Sequence, residues 1–173
     1  MDISKSQAKS VSGGGKTLVV YFSHSGNTRS LAQQIHERVG GDIFEVVPVD
    51  PYPVDYDAVV AQAKKELNSE YKPALKSKIK DVGSYDVIFI GYPNWCNTIP
   101  RPVVTFLLEQ DLSGKTIGPF CTHEGSRLGR SATDISKLCP QSTILEGLAV
   151  RGRDVGNAQN QVSAWLQGLK LLK

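Results

Sequence analysis

The chain has 173 residues, 40% of them apolar and 21% charged, with a formal net charge of +3. That length suits one domain with a sizeable core, and the composition excludes collagen-like and disordered classes. The charge is too mild and too scattered for a nucleic-acid-binding stripe, and no apolar run is long enough to cross a membrane.

Residues 1–15 are polar, rich in Ser, Lys and Gly, and end in Gly13-Gly14-Gly15; they read as a flexible N-terminal tail before a domain spanning 16–173. No apolar leader segment is visible, so the expected location is the cytoplasm, although an export signal removed upstream would leave no trace. TLVVYF (Thr17–Phe22) is a short β-branched and aromatic run, the pattern of a buried strand. From Thr28 to Val39, Leu31, Ala32, Ile35 and Val39 share one helical face, and Gly40-Gly41 ends the helix. IFEVVPV (Ile43–Val49) predicts a second strand, and Tyr56, Val59, Val60, Ala63 and Leu67 one face of a second helix. On that helix Lys64, Lys65 and Glu66 are assigned to the exposed side.

VIFIGY (Val87–Tyr92) predicts a third strand, and Pro102–Leu108, opening on proline, a third helix. TIGPFC (Thr116–Cys121) predicts a fourth strand, with Pro119 arguing against a central place in the sheet. A fourth helix carries Leu128, Ala132, Ile135 and Leu138. TILEGLAV (Thr143–Val150) predicts a fifth strand, and Val155 to Leu169 a closing helix. Five β–α steps with nearly all-apolar strands imply a parallel sheet covered on both faces. Such sheets bind ligands at the carboxyl ends of their strands, which directs attention to the loops after Phe22, Tyr92 and Cys121.

The first of these loops is SHSGNT, Ser23 to Thr28. It joins a strand to a helix whose N-terminus carries free N–H donors and a partial positive charge. Gly26 allows a tight turn, and the hydroxyls of Ser23, Ser25 and Thr28 add donors. This is a phosphate cradle, with no lysine clamp of the triphosphate-binding kind, and so suits a monophosphate. The plainer alternative is that Ser and Asn merely cap the helix.

The motif S-x-S-G-N-T after a first strand resembles the phosphate loop of flavodoxins. The resemblance extends from Lys16 over nearly the whole remaining chain, through SYDVIFIGYPNWCNTIPRPVVTFL and LSGKTIGPFCTHEGSRLGRS. These segments are similar to the subfamily with Y-P-x-W-W-G-T-x-P after the third strand and T-H-x-G-S after the fourth. The resemblance implies an α/β flavodoxin-like three-layer sandwich, a five-stranded parallel sheet in the order 2-1-3-4-5, and non-covalent FMN binding.

By position, the resemblance assigns the FMN phosphate to Ser23, Ser25, Gly26, Asn27 and Thr28. His24 occupies the loop's variable place, either near the phosphate or turned to solvent. The second loop, Pro93, Asn94, Trp95, Cys96, Asn97 and Thr98, would meet the flavin ring, with Trp95 stacking on it or packing into the core. Asn97 stands where the family usually has glycine, and Cys96 where it has a second tryptophan. Asn tolerates positive φ at a cost relative to glycine, which bears on the peptide rotation that accompanies flavin reduction in flavodoxins. The third loop supplies Thr122, His123, Glu124 and Gly125, with Glu124 where a small residue is common. If its carboxylate approaches the ring, it disfavours negative charge there.

Cys96, Cys121 and Cys139 lack metal-ligand spacing and form an odd set, which favours a reducing compartment; no metal site is expected. Cys96 reads as an inert small residue rather than a reactive thiol. Ser126, His123 and Asp134 make a hydrolase triad on paper only, with no G-x-S-x-G elbow. His36 is expected at the surface. No covalent catalyst is needed, because the flavin carries the chemistry.

The functional expectation is an FMN-binding electron-transfer protein, monomeric, shuttling electrons between a reductase and an acceptor through transient contacts. Flavodoxins are typically acidic, whereas this chain is net positive, so the expectation is either acidic redox partners or steering that is only local. The alternatives are an NAD(P)H-dependent FMN reductase acting on quinones or similar small molecules, and a non-catalytic flavin-binding module.

Overall fold

The computed structural model describes residues 16–171; the expected N-terminal tail lies outside the described residues. Strands β1 (Thr17–Tyr21), β2 (Asp42–Glu45), β3 (Val87–Pro93), β4 (Thr116–His123), β5 (Thr143–Ile144) and β6 (Leu148–Arg151) alternate with helices. These are α1 (Asn27–Val39), α2 (Tyr56–Ser69), α3 (Arg101–Glu109), α4 (Ser131–Leu138) and α5 (Gln159–Gly168). All strand pairs are parallel, in the order β2-β1-β3-β4-β5, with β6 also on β4. The order 2-1-3-4-5 stands, but the fifth strand is broken in two.

Pro119 supplies the physical reason for that break. β4 pairs with β5 through Thr116 and Ile117, and with β6 through Phe120 to His123. Ile117 accepts from Leu145 N–H, so Pro119, two residues on, faces the same neighbour and has no N–H to offer. The ladder lapses there and resumes one residue later. Pro119 therefore sits in an interior strand, against expectation, because the lapse absorbs its missing donor.

β2 is shorter than predicted. Val46 N–H still reaches Tyr21 O, but Val47 O then accepts from Lys76 N–H and Val49 N–H donates to Ala74 O. The segment 47–49 thus leaves the sheet to pair with a later stretch, and Pro48 bridges to Leu75. The predicted closing helix also begins late, because Gly152–Asn157 forms a 3-10 turn before α5.

Alternation along the strands builds two cores. Leu18, Val20, Phe22, Ile88, Ile90, Tyr92 and Ile117 face α3 and α4, meeting Val103, Phe106, Leu107 and Ile135. Val19, Tyr21, Phe89 and Phe120 face α1 and α5, meeting Leu31, Ile35, Val162 and Leu166. Gly91 permits the tightest approach in the sheet: a Cβ there would stand 2.1 Å from the Phe120 ring. Burying the large side chains of both faces supplies roughly 1.5–3 kcal/mol each before entropy is counted. No helix among the described residues is long and apolar enough to cross a membrane.

Candidate functional site

At the carboxyl ends of β1, β3 and β4 three loops converge on a cavity of about 810 Å³. His24, Ser25 and Asn27 line one end, Pro93 to Asn97 one wall, and Thr122 to Gly125 another. The three loops singled out in the sequence thus meet in one place. Ser23, Gly26, Thr28 and Thr98 do not line the cavity. Sequence reasoning missed the remaining lining residues, Ser126 and, on α2, Tyr56, Val59, Val60, Ala63 and Lys64. The apolar stripe of α2 was legible, but only the fold turns part of it toward a cavity rather than the core.

The first loop is organised by its own hydroxyls. Ser23 Oγ accepts from Gly26 N–H and Arg29 N–H, each at 3.2 Å, and Ser25 Oγ accepts from Asn27 N–H at 3.4 Å. Gly26 has φ 102°, a left-handed conformation, and a Cβ there would meet nothing within 4 Å. The first turn of α1 carries no acidic residue, so the partial positive charge of its N-terminus is not neutralised from within the helix. Thr28 is buried, its Oγ1 2.9 Å from Thr122 Oγ1, which ties the first loop to the third.

The His24 side chain is half-buried. Its Nε2 lies 2.7 Å from Pro53 O, and its ring stands edge-on to Trp95 at 5.8 Å. Trp95 is half-buried, and Phe22 and Tyr52 also meet it in T-shaped contacts at 5.4 and 5.0 Å. The indole therefore packs against the core and also borders the cavity. Tyr52 Oη donates to Glu66 Oε1 at 2.5 Å, and Gln62 Nε2 donates to Glu66 Oε2 at 2.9 Å. Glu66 is therefore buried, correcting its assignment to the exposed face: these two donors compensate its desolvation. Burial, with the Glu66 contact second, drives the Tyr52 hydroxyl well above its ordinary pKa.

The second loop is a tight hairpin. Trp95 and Thr98 exchange both backbone hydrogen bonds, at 3.2 and 3.0 Å, around two residues of positive φ, Cys96 at 54° and Asn97 at 68°. This is the geometry of a type I′ turn, in which glycine is usual. Asn97 adopts the positive φ that asparagine tolerates, and Cys96 adopts it too. The loop is bound to the third one: Asn94 N–H donates to Thr122 O at 2.8 Å, Asn94 Nδ2 to Arg127 O at 2.5 Å, and Arg130 N–H to Asn97 O at 2.8 Å. Asn94 Oδ1 is buried with no hydrogen-bond partner among the described residues.

In the third loop His123 is buried, and its Nδ1 accepts from Gly125 N–H at 2.9 Å, which requires that nitrogen to be unprotonated. Burial, then the nearby Arg151 and Arg127, hold its pKa below the ordinary histidine value. Glu124 leans toward the first loop. A Cβ on Gly152 would stand 2.5 Å from Glu124 Oε2 and 2.7 Å from Asn27 Nδ2, so both side chains crowd the space that this glycine leaves. The carboxylate thus lies at the end of the cavity lined by the first loop. Cys121 is buried, and desolvation lifts its thiol to about 12. Asp134 accepts from Thr98 Oγ1 and from Arg130 Nε, so no Ser126–His123–Asp134 triad forms. His36 Nε2 lies 2.9 Å from Gly41 O at the end of α1, away from the cavity. The described residues contain no cluster suited to a metal ion.

A family model for flavodoxins matches residues 16–169. The chain belongs to the flavodoxin family. A protein assigned as a flavoprotein from Bacteroides eggerthii has 36% identity and a TM-score of 0.79, with 90% of this chain and 98% of that one covered. A second such protein, from Bacteroides uniformis, has 32% identity and a TM-score of 0.79 over 89% of this chain and 99% of that one. The same flavodoxin fold recurs in a flavoprotein from Lactobacillus acidophilus solved in complex with FMN. It has 23% identity and a TM-score of 0.71, covering 88% of this chain and 99% of that one. No curated protein matches this flavodoxin-family chain.

Proposed function

We propose that this chain binds FMN in the cavity and serves as an electron carrier between a reductase and an acceptor. The observation that carries the reading is the convergence of the three loops on one cavity, with a phosphate-type helix N-terminus at one end and Trp95 on its wall. The residues present fit the cofactor. The first turn of α1 is free of acidic side chains, and Asn94, whose Oδ1 is a buried acceptor without a partner among the described residues, lines the cavity wall. Membership of the flavodoxin family and the FMN complex of the Lactobacillus acidophilus relative support the same choice. FMN, when bound, supplies a ring that accepts and releases electrons.

The chain's own residues bind, orient and shield. Ser23, Ser25, Gly26, Asn27 and Thr28 shape the phosphate loop, while Trp95 excludes water from the ring. Pro93, Asn94, Cys96, Asn97 and Thr98 supply the second loop, and Thr122, His123, Glu124 and Gly125 the third. The +3 net charge, and exposed Arg127 beside the mouth, favour small, charge-steered contacts with acidic partners.

A second reading is an NAD(P)H-dependent reductase of quinones or similar compounds. It is favoured by the apolar wall that Val59, Val60 and Ala63 of α2 add beyond the three loops. The test is anaerobic stepwise reduction of the FMN-loaded protein followed by absorbance, with NADPH added separately. Accumulation of half-reduced flavin, without direct NADPH oxidation, is the outcome for a carrier. Direct two-electron reduction by NADPH selects the reductase, and absence of FMN binding refutes both.

A further inference from the structure

His24 sits between two serines whose hydroxyls hold the loop's own N–H groups, and its ring reaches out of that loop in a different direction. A carbonyl oxygen only accepts, so at 2.7 Å from Pro53 O the Nε2 must carry a proton and donate it. Pro53 belongs to the segment that runs from β2 to α2. Its neighbour Tyr52 packs on Trp95 and donates to buried Glu66 of α2, and Asp55 caps α2 by accepting from Ala58 N–H at 2.9 Å. His24 itself also meets the edge of the Trp95 indole. One imidazole therefore touches the phosphate loop by covalent connection, the 50–55 segment by a hydrogen bond, and the cavity's aromatic wall by ring contact.

The path closes on itself. Phe22, the residue where β1 runs into the phosphate loop, packs on both Tyr52 and Trp95, at 5.8 and 5.4 Å. Four rings from three separate stretches of chain thus interlock, and the His24–Pro53 bond is the polar tie within that cluster. We propose that His24 is a positioning residue that fixes Trp95 and the start of α2, so that the ring end of the cavity is held in shape by a side chain of the phosphate loop. The inference rests on the FMN reading of the cavity and deepens it. A residue of this kind acts on the ring end of the ligand, although it lies in the phosphate loop.

Riboflavin, which has the ring but no phosphate, separates this role from direct phosphate binding. FMN and riboflavin are titrated into the full chain and into His24→Ala and His24→Gln, with flavin fluorescence as the readout. Alanine removes the donor, whereas the glutamine amide has similar reach and can still donate to Pro53 O. His24→Ala is expected to weaken both ligands by the same factor, roughly tenfold, the scale of one lost hydrogen bond with its packing. His24→Gln is expected to recover most of that loss for both. A loss confined to FMN would make His24 a phosphate ligand and overturn the proposal, and so would unchanged binding of both ligands. Should the alanine variant fail to fold, His24→Asn, too short to reach Pro53, replaces it with the same expectations. In the ligand-free protein, near-ultraviolet circular dichroism is expected to change in His24→Ala and to be restored in His24→Gln. If the natural chain binds neither flavin, the FMN reading fails, and this ligand-free comparison still decides whether His24 holds Trp95.

Discussion

The turn at Cys96-Asn97 offers a perturbation whose sign is unusual. Asn97 is exposed, at φ 68°, and a hydrogen bond from Arg130 N–H to its own carbonyl oxygen holds its backbone in place. In a left-handed conformation an ordinary residue costs about 1–2 kcal/mol, asparagine less and glycine nothing. Glycine gives back roughly 0.5–1 kcal/mol through the greater freedom of the unfolded chain. Asn97→Gly should therefore stabilise slightly, Asn97→Ala should destabilise, and the two variants should differ by about 1 kcal/mol. Exposure of the side chain keeps loss of burial out of the comparison. For a chain of this size that difference corresponds to a Tm gap of about 2–4 °C. In urea, with a slope of about 1–3 kcal/mol/M, it is a midpoint gap of roughly 0.3–1 M. Both are measured on the ligand-free protein, so the result does not depend on the cofactor. Equal stability of the glycine and alanine variants, or alanine the more stable, would refute the type I′ assignment and the backbone cost assigned to this loop.

Trp95→Ala should weaken FMN binding by about 1–3 kcal/mol, by loss of stacking area, and titration that finds unchanged affinity would remove Trp95 from the site. Glu124→Gln should tighten FMN by about two- to fivefold at low salt, because a carboxylate beside the phosphate loop opposes a phosphate ester. Riboflavin affinity should not move, and the FMN gain should shrink as salt is raised; equal gains for both ligands would contradict the placement of Glu124. His123 should make stability depend on pH. Its folded pKa is depressed, so the unfolded chain takes up a proton near pH 6.5 that the folded chain resists. Stability is therefore full above that pH and falls as the pH drops from about 6.5 through the lower folded pKa. Urea midpoints at pH 8 and 5.5 should differ more for the natural chain than for His123→Gln, and equal differences would count against the neutral Nδ1 contact with Gly125.

Much of this protein is legible in local pattern. Continuous apolar runs such as TLVVY and VIFIG mark strands buried on both faces, and helices appear where apolar residues recur every three or four positions. Once those elements alternate, the parallel sheet follows, and with it the strand ends where ligands bind. The phosphate-type loop was readable because its residues are contiguous and their chemistry is local to one helix N-terminus. The broken fifth strand was not, since the missing donor belongs to Pro119 on a neighbouring strand. Glu66 looked exposed because helical phase carries no information about Tyr52, fourteen residues away, which reaches it across the α2 entry segment.

By itself the sequence determined most element types, the layered α/β class, the three loops that line the cavity and the residue chemistry each loop carries. All of these depend on interactions within a few residues or on the 2.0 and 3.6 periodicities of the chain. Only the tertiary structure decided that α2 supplies a wall of the cavity, that Glu124 turns toward Asn27 and Gly152, and that His24 grips Pro53 beside Trp95. Each of these depends on which side chains from distant segments are brought within a few ångströms, and that is set by packing the whole core rather than by any stretch of sequence.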